Sequence, residues 1–418
     1  MSELRTFARI SLPFASVGFI NQASRIVVAT LGPAMALEFG LSASGLGVLA
    51  AVFFAAYALS QLPVGLAIDL YGPRVVQVAL SLVAALGFAL CAWAPDPLWL
   101  GLGRFVTGIG IAGALIGLMK ANIQWYPPHR LAAVTGAGVF CGAAGGLAAT
   151  LPVQAVLPLV GWRGVFLGLA GLAVLAALWP RLGVPAAAPG AKALLRRPLG
   201  AEIGEFARIA RHPTFIRTMP AVALLSAQVF TYQGLWAGPW LRDVGGLGDG
   251  ARAAVLFCYA LGIMAGQLCG GQLASAMQAR GMDAMRLCYG GMAAMMVVQG
   301  VLIAQPQGVV PLSLLWFGFA CVGSAGPISY SVLAQRFPPE LTGRVATMLN
   351  FSMLCLVFLL QMVIGLILDQ WPRTPSGGWD PAGYSWVLCL TVSLQALTVV
   401  WLLAGARVQP VTDQGGRR

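Results

Sequence analysis

Arg25 stands in FINQASRIVVATLGPA, residues 19–34, in the middle of an apolar run long enough to cross a membrane. A guanidinium at the centre of a bilayer costs about 2.5–3.5 kcal/mol on insertion scales, so it needs a partner or a task. Asn21 and Gln22 lie four and three residues before it, on the same helical face, and turn a lone charge into a polar patch. All 13 Asp and Glu residues fall in expected connections or at helix ends, which leaves no carboxylate at that depth. The missing anion is then read as a ligand, because an arginine fork matches a carboxylate or phosphate through two hydrogen bonds and a low dielectric strengthens the contact.

A second polar stretch, SAQVFTYQGLWAGPW at 226–240, places Gln228, Tyr232 and Trp236 at helical spacing, with Gln233 beside them. Amides and amphipathic aromatics are what small-molecule sites use to orient a ligand. Tyr57 and Gln61 in the second apolar span, Asn350 and Gln361 in the eleventh, and Lys120 in the fourth extend the candidate set. Each amide also reads as glue between helices, and Lys120 as a side chain snorkelling to the interface. Met292, Met295 and Met296 raise a metal route, but methionine is ordinary core filler and no facing set of thiols or thioethers accompanies them. His129 and His212 both fall at cytoplasmic loops, so no nucleophile, base and orienting acid can be assembled at mid-depth, and an enzyme is not expected. The eight cysteines lie in apolar spans without C-x-x-C spacing and read as small core hydrophobes.

The elements that must position these residues follow from composition. The chain is 59% apolar and 9% charged, far from a soluble norm of about a quarter charged, and its mean hydropathy is +0.83. Runs of about 20 apolar residues, enough to cross ~30 Å of hydrocarbon, recur along it. They give twelve spans: 11–37, 43–64, 75–94, 98–125, 131–159, 163–183, 214–240, 252–276, 287–305, 311–335, 345–369 and 384–406. The first is expected to stay, since Arg5 and Arg9 precede it and no cleavage site follows. With the N-terminus inside, Arg163, Arg242, Arg252 and Arg373 fall outside, Arg25, Arg104 and Lys120 fall within spans, and the other Lys and Arg residues collect in the cytoplasm. That asymmetry puts both termini in the cytoplasm of a multi-pass protein, here of a bacterial inner membrane. The net charge of +12 is accounted for by topology rather than by nucleic acid.

QWYPPHRLAAV at 124–134 repeats as QRFPPELTGRV at 335–345, and QLPVG at 61–65 as QLCGG at 267–271. Two matches at nearly equal offset argue for six plus six helices, an all-α membrane protein of two pseudo-symmetric bundles. The expected divisions are an N-terminal half at 1–183, a cytoplasmic linker with an amphipathic helix at 184–213, a C-terminal half at 214–406 and a tail at 407–418.

These residues resemble the Major Facilitator Superfamily along essentially the whole chain. GLAIDLYGPR at 65–74 matches its loop between helices 2 and 3 at Gly65, Asp69, Gly72 and Arg74; GRFVTGIGIAG at 103–113 resembles its helix 4 motif with Arg104; GWRGVF at 161–166 resembles the start of its helix 6. The resemblance implies that Asp69, opposed to Arg74, closes a cytoplasmic contact that breaks when the halves rock, and that Arg104 serves coupling or structure. Ser275 stands at the second half's equivalent of Asp69, so that contact is one-sided. Helix 5 carries GVFCGAAGG, with Ala143 where the antiporter signature has proline, so antiport is not implied. Arg25, Pro33 and EFGLS at 38–42 resemble the anion:cation symporter and organophosphate antiporter branches.

The expectation is a monomeric secondary active transporter of a small anionic organic solute working by alternating access in a lipid bilayer. It needs no cofactor beyond a coupling proton or sodium ion. The competing readings are a carrier of a neutral or cationic solute and a sensor that does not transport. A reporter inserted at Gly190 and another fused after Arg418 are both expected on the cytoplasmic side; an external signal from either contradicts the topology.

Overall fold

The computed structural model describes residues 3–127, 130–185, 199–338, 341–374 and 377–404, and helices carry the chain. His129, residues 186–198 of the linker and the whole tail at 407–418 lie outside the described residues. The first bundle comprises α1 (Leu4–Phe39), α2 (Ala43–Tyr71), α3 (Pro73–Ala92), α4 (Pro97–Trp125), α5 (Leu131–Ala148) and α6 (Leu151–Gly183). The second comprises α7 (Pro213–Thr231, running on through Tyr232–Trp236 and Ala237–Asp243), α8 (Asp249–Ala279), α9 (Met285–Ile303), α10 (Val309–Ala334), α11 (Thr342–Leu368) and α12 (Pro381–Leu403). Ten of these are long and apolar enough to cross a membrane. The other two are α5, whose crossing is completed by residues 151–160 up to a kink at Gly161 (φ 66°), and the more polar α7.

Several helices are interrupted, and in lipid each freed backbone carbonyl needs a partner. After 15-residue segments, α4 breaks at Ala112–Gly113 and α10 at Ser324, the same place in each half. The Asn21 amide donates to the Ile111 carbonyl at 3.1 Å, and the Gln61 amide to that of Ala112 at 3.4 Å. The Thr30 hydroxyl donates to the Ala149 carbonyl at the α5–α6 break, and the Ser324 hydroxyl to the Ile263 carbonyl. Polar residues of α1 thus hold the broken helices around it.

Close helix contacts rest on glycine. Gly145 of α5 lies against the Phe19 carbonyl, and Gly234 and Gly238 of α7, four residues apart, lie against the carbonyls of Arg25 and Ala29. A methyl group at Gly238 would overlap that backbone, which is the small-residue packing that lipid-embedded helices use. Gly47 of α2 and Gly365 of α11 bring those helices together in the same way.

The two bundles are tied at the end bearing the α1–α2 turn, opposite both termini. The Asp369 carboxylate, just past α11, accepts from the Ala43 and Ser44 amides of the first turn of α2 at 2.8 and 2.9 Å, where the helix dipole favours a negative charge. Arg373 donates to the Leu41 carbonyl at 2.6 Å. Burial pushes the Asp369 carboxyl up, but the hydrogen bonds from Ser44, Ala43 and Ser42 outweigh it and hold the group below its ordinary range. This tie is therefore intact at neutral pH and is lost only as the pH falls through that depressed value. Within the first bundle, Glu38 accepts from Trp162 Nε1 and Arg163 Nη1, both at 2.6 Å, which joins the EFGLS and GWRGVF stretches.

Within 184–213 a helix runs over Leu199–Ala210, with Ile209 buried in the core and Arg208 exposed. If the Asp369 tie holds the far end, Asp369→Asn is expected to speed hydrogen exchange of the Ala43 and Ser44 amides several-fold in mass spectrometry. Unchanged exchange contradicts that role.

Candidate functional site

Arg25 sits where α1, α2 and α7 meet, 8% exposed. Its guanidinium carbon lies 4.8 Å from the centroid of the Tyr57 ring and 5.2 Å from that of Phe230. Such contacts with aromatic faces are worth about 0.5–2 kcal/mol when partly desolvated, less than burying the charge costs. Its Nε is buried without a hydrogen-bond partner, and among the described residues no carboxylate pairs with it. On the same three helices and on α11, the Ser24 hydroxyl, Thr231 hydroxyl, Trp236 Nε1 and Gln361 Oε1 are likewise buried and unpartnered. The Tyr330 hydroxyl of α10 is within electrostatic reach of Arg25 and faces Ser226 of α7.

The local backbone explains this placement. α7 takes a π turn at Tyr232–Trp236, an insertion frequent at functional sites. Gln361 of α11 donates to the Thr231 carbonyl at 3.1 Å beside that turn. The face of α7 that meets Arg25 therefore carries Phe230, Gly234 and Gly238.

That is not the face expected from helical spacing. Gln228 is fully buried, accepting from Gln299 of α9 and, at 2.7 Å, from Gln395 of α12, so it belongs to an amide cluster inside the second bundle. Tyr232 packs against Trp316 and Phe319, with centroids 5.5 and 5.3 Å away, in the same bundle's aromatic core. Trp236 lies between the bundles against Gly47 and Trp379, under the tied end. Gln233 is 5% exposed, and Gln22 and Asn350 are half-buried; none of the three makes a hydrogen bond among the described residues. Phe230 and Tyr330 were not legible as candidates, although the spacing of Gly234 and Gly238 signals which face packs closely.

The other charged candidates are placed elsewhere. Lys120 pairs with Asp69 at 2.6 Å, with about a third of the lysine and two fifths of the carboxylate side chain exposed. Asp69 thus takes Lys120 rather than Arg74 as its ionic partner. A pair so exposed is worth about 0.2–1 kcal/mol. Arg74 donates instead to the carbonyls of Pro180 and Arg181 at the end of α6. Gly72 takes φ 82° in the α2–α3 turn, which explains glycine there, whereas Gly65 has open space around it. Arg104, expected near the outer end, is only 2% exposed, donates to the Ser24 carbonyl at 3.0 Å and lies 4.2 Å from the Phe53 ring centroid. It is thus a second buried cation beside Arg25, held by backbone and an aromatic ring.

The family model described as Major Facilitator Superfamily matches residues 14–362. A probable L-galactonate transporter of Escherichia coli is 25% identical over 392 residues, covering 88% of this chain and 84% of its own length. A probable sulfoacetate transporter of Cupriavidus necator is 30% identical over 156 residues, 37% of this chain, and a gentisate transporter of Corynebacterium glutamicum is 30% identical over 147 residues. These two matches span about a third of those relatives, 36% and 33%. Among solved structures, a bacterial homologue of the human lysosomal transporter Spinster, inward-facing and unoccupied, superposes with a TM-score of 0.73 at 19% identity over 97% of this chain and 96% of its own.

Asn21 and Gln22 differ in what they satisfy, so their replacements separate structure from site. Asn21→Leu leaves the Ile111 carbonyl without its partner and is expected to lower stability by about 0.6–2 kcal/mol in thermal unfolding, while Gln22→Leu leaves stability nearly unchanged. Equal effects contradict this assignment.

Proposed function

The chain belongs to the Major Facilitator Superfamily, a family of transporters, and on that premise we propose that it moves a small organic anion across a bacterial inner membrane by alternating access, with Arg25 as the principal charge contact. The observation that carries the reading is a buried guanidinium whose Nε lacks a partner and which no carboxylate neutralises among the described residues. Relatives named for sulfoacetate, galactonate and gentisate support an anionic cargo.

In this account the solute enters from the end bearing the termini, which faces the cytoplasm, because the opposite end is tied by Asp369 and Arg373. The anion takes the free guanidinium edge of Arg25 in a fork, while Tyr57 and Phe230 hold the cation in place. Neutralising that charge in a poorly hydrated space lets the bundles close around it. Release to the far side then requires the Asp369 and Arg373 contacts to break. Hydrogen bonds to charged groups contribute roughly 1.5–3 kcal/mol each, so the tie is strong enough to set a resting state and weak enough to open. Lys120 and Asp69 hold α4 to α2 within the first bundle during this motion. With no carboxylate beside Arg25, a coupling proton or sodium ion binds elsewhere, and the substrate charge alone engages the arginine.

Arg25→Lys keeps the charge but removes the planar fork, and Arg25→Gln removes both. Arg25→Gln is expected to weaken binding of the carboxylate solute by two decades or more, as loss of a buried charged partner of at least a few kcal/mol implies. Arg25→Lys is expected to fall between it and the parent, and folding is expected to survive in both. Parental affinity and transport rate in Arg25→Gln contradict the proposal.

A further inference from the structure

We infer that the solute is a monocarboxylate on a planar aromatic body bearing at most one or two polar substituents, rather than a dianion or a polyhydroxylated acid. This rests on the reading of Arg25 as the anion contact and specifies what that site accepts.

The charge available is single. Arg104, whose Nε is also unpartnered, is more deeply buried than Arg25 at 2% exposed, donates to the Ser24 carbonyl and lies against the Phe53 ring, and Lys120 is paired with Asp69. A second anionic group would be drawn out of water with no free cation to meet it, which is the costliest kind of mismatch in a low-dielectric site.

The hydrogen-bonding capacity is also small. The amides of Asn21, Gln61 and Gln361 are spent on the carbonyls of Ile111, Ala112 and Thr231, all backbone groups left over by helix irregularities. Gln228 is held in its own amide cluster. Among the amides Gln22 and Gln233 remain, one a turn before Arg25 and the other in the π turn of α7, and beyond them only a few hydroxyl and indole groups. A chain of four or five hydroxyls would lose its water without gaining partners, and each unpaired polar group counts against binding.

The walls, by contrast, are rings. Tyr57 and Phe230 touch the guanidinium, and Phe54 reaches Gly234 beside the Arg25 carbonyl. A planar aromatic acid presents its carboxylate to the arginine and its ring to these side chains, in the edge-to-face or offset contacts that aromatic pairs favour.

The test is a binding panel on the purified full-length protein, read by thermal shift and equilibrium competition, with benzoate, 4-hydroxybenzoate, gluconate, terephthalate and benzamide. Benzoate and 4-hydroxybenzoate are expected to bind at least about tenfold tighter than gluconate or terephthalate, a ratio equal to one aromatic contact of ~1.4 kcal/mol. Gluconate or terephthalate binding as tightly as benzoate overturns this inference and leaves the anion reading standing. Benzamide matching benzoate, or no response to any carboxylate, overturns the anion reading itself. Phe230→Leu, which leaves Arg25 in place, is expected to narrow the benzoate-to-gluconate ratio; an unchanged ratio removes the aromatic wall from the account.

Discussion

A cation buried without a counterion is the constraint on which this structure turns. Arg25 is held at the junction of α1, α2 and α7 by two aromatic rings and by a backbone that approaches it through Gly234. Those contacts recover only part of the desolvation cost, and on the proposed reading the remainder favours a negatively charged solute. The preference is useful because it is unsatisfied. A carboxylate side chain at the same depth would have stabilised the protein and blocked the site.

The second constraint is the backbone itself. In lipid a carbonyl freed by a helix break cannot turn to water, so each irregularity that shapes the central space demands a side chain. Asn21, Thr30 and Gln61 serve the breaks in α4 and between α5 and α6, and Gln361 serves the π turn of α7. Most amides in the interior are therefore structural, and what is left for a solute is one guanidinium, aromatic rings and a few hydroxyl and indole groups. Specificity in such a site comes as much from hydrogen bonds it cannot offer as from those it can.

How far the sequence carries the account follows from the same physics. Membrane spans, the two halves and Arg25 are legible because hydropathy and depth are properties of a single segment. The face of α7 is not, since Gln228 and Tyr232 turn into the second bundle's core and the π turn at Tyr232–Trp236 then parts Trp236 from their face. The pairing of Lys120 with Asp69, and the placement of Arg104 beside Ser24, depend on how α4 crosses α1 and α2. Ionic partners on different helices leave no periodic trace. Gly142, Gly145 and Gly146 of the GVFCGAAGG stretch pack α5 on Gly18, Phe19 and Ile26 of α1, a packing reason for glycine at each position.

The central claim is that the free edge of the Arg25 guanidinium receives the solute's carboxylate. The most direct measurement is the nitrogen-15 spectrum of arginine Nε groups in the detergent-solubilised protein, with the Arg25 signal assigned by its loss in Arg25→Lys. Titration with benzoate is predicted to shift that signal in the direction of a strengthened hydrogen bond, saturating at the same concentration as the thermal stabilisation. A benzoate-dependent stabilisation that leaves the Arg25 signal unmoved would contradict the account.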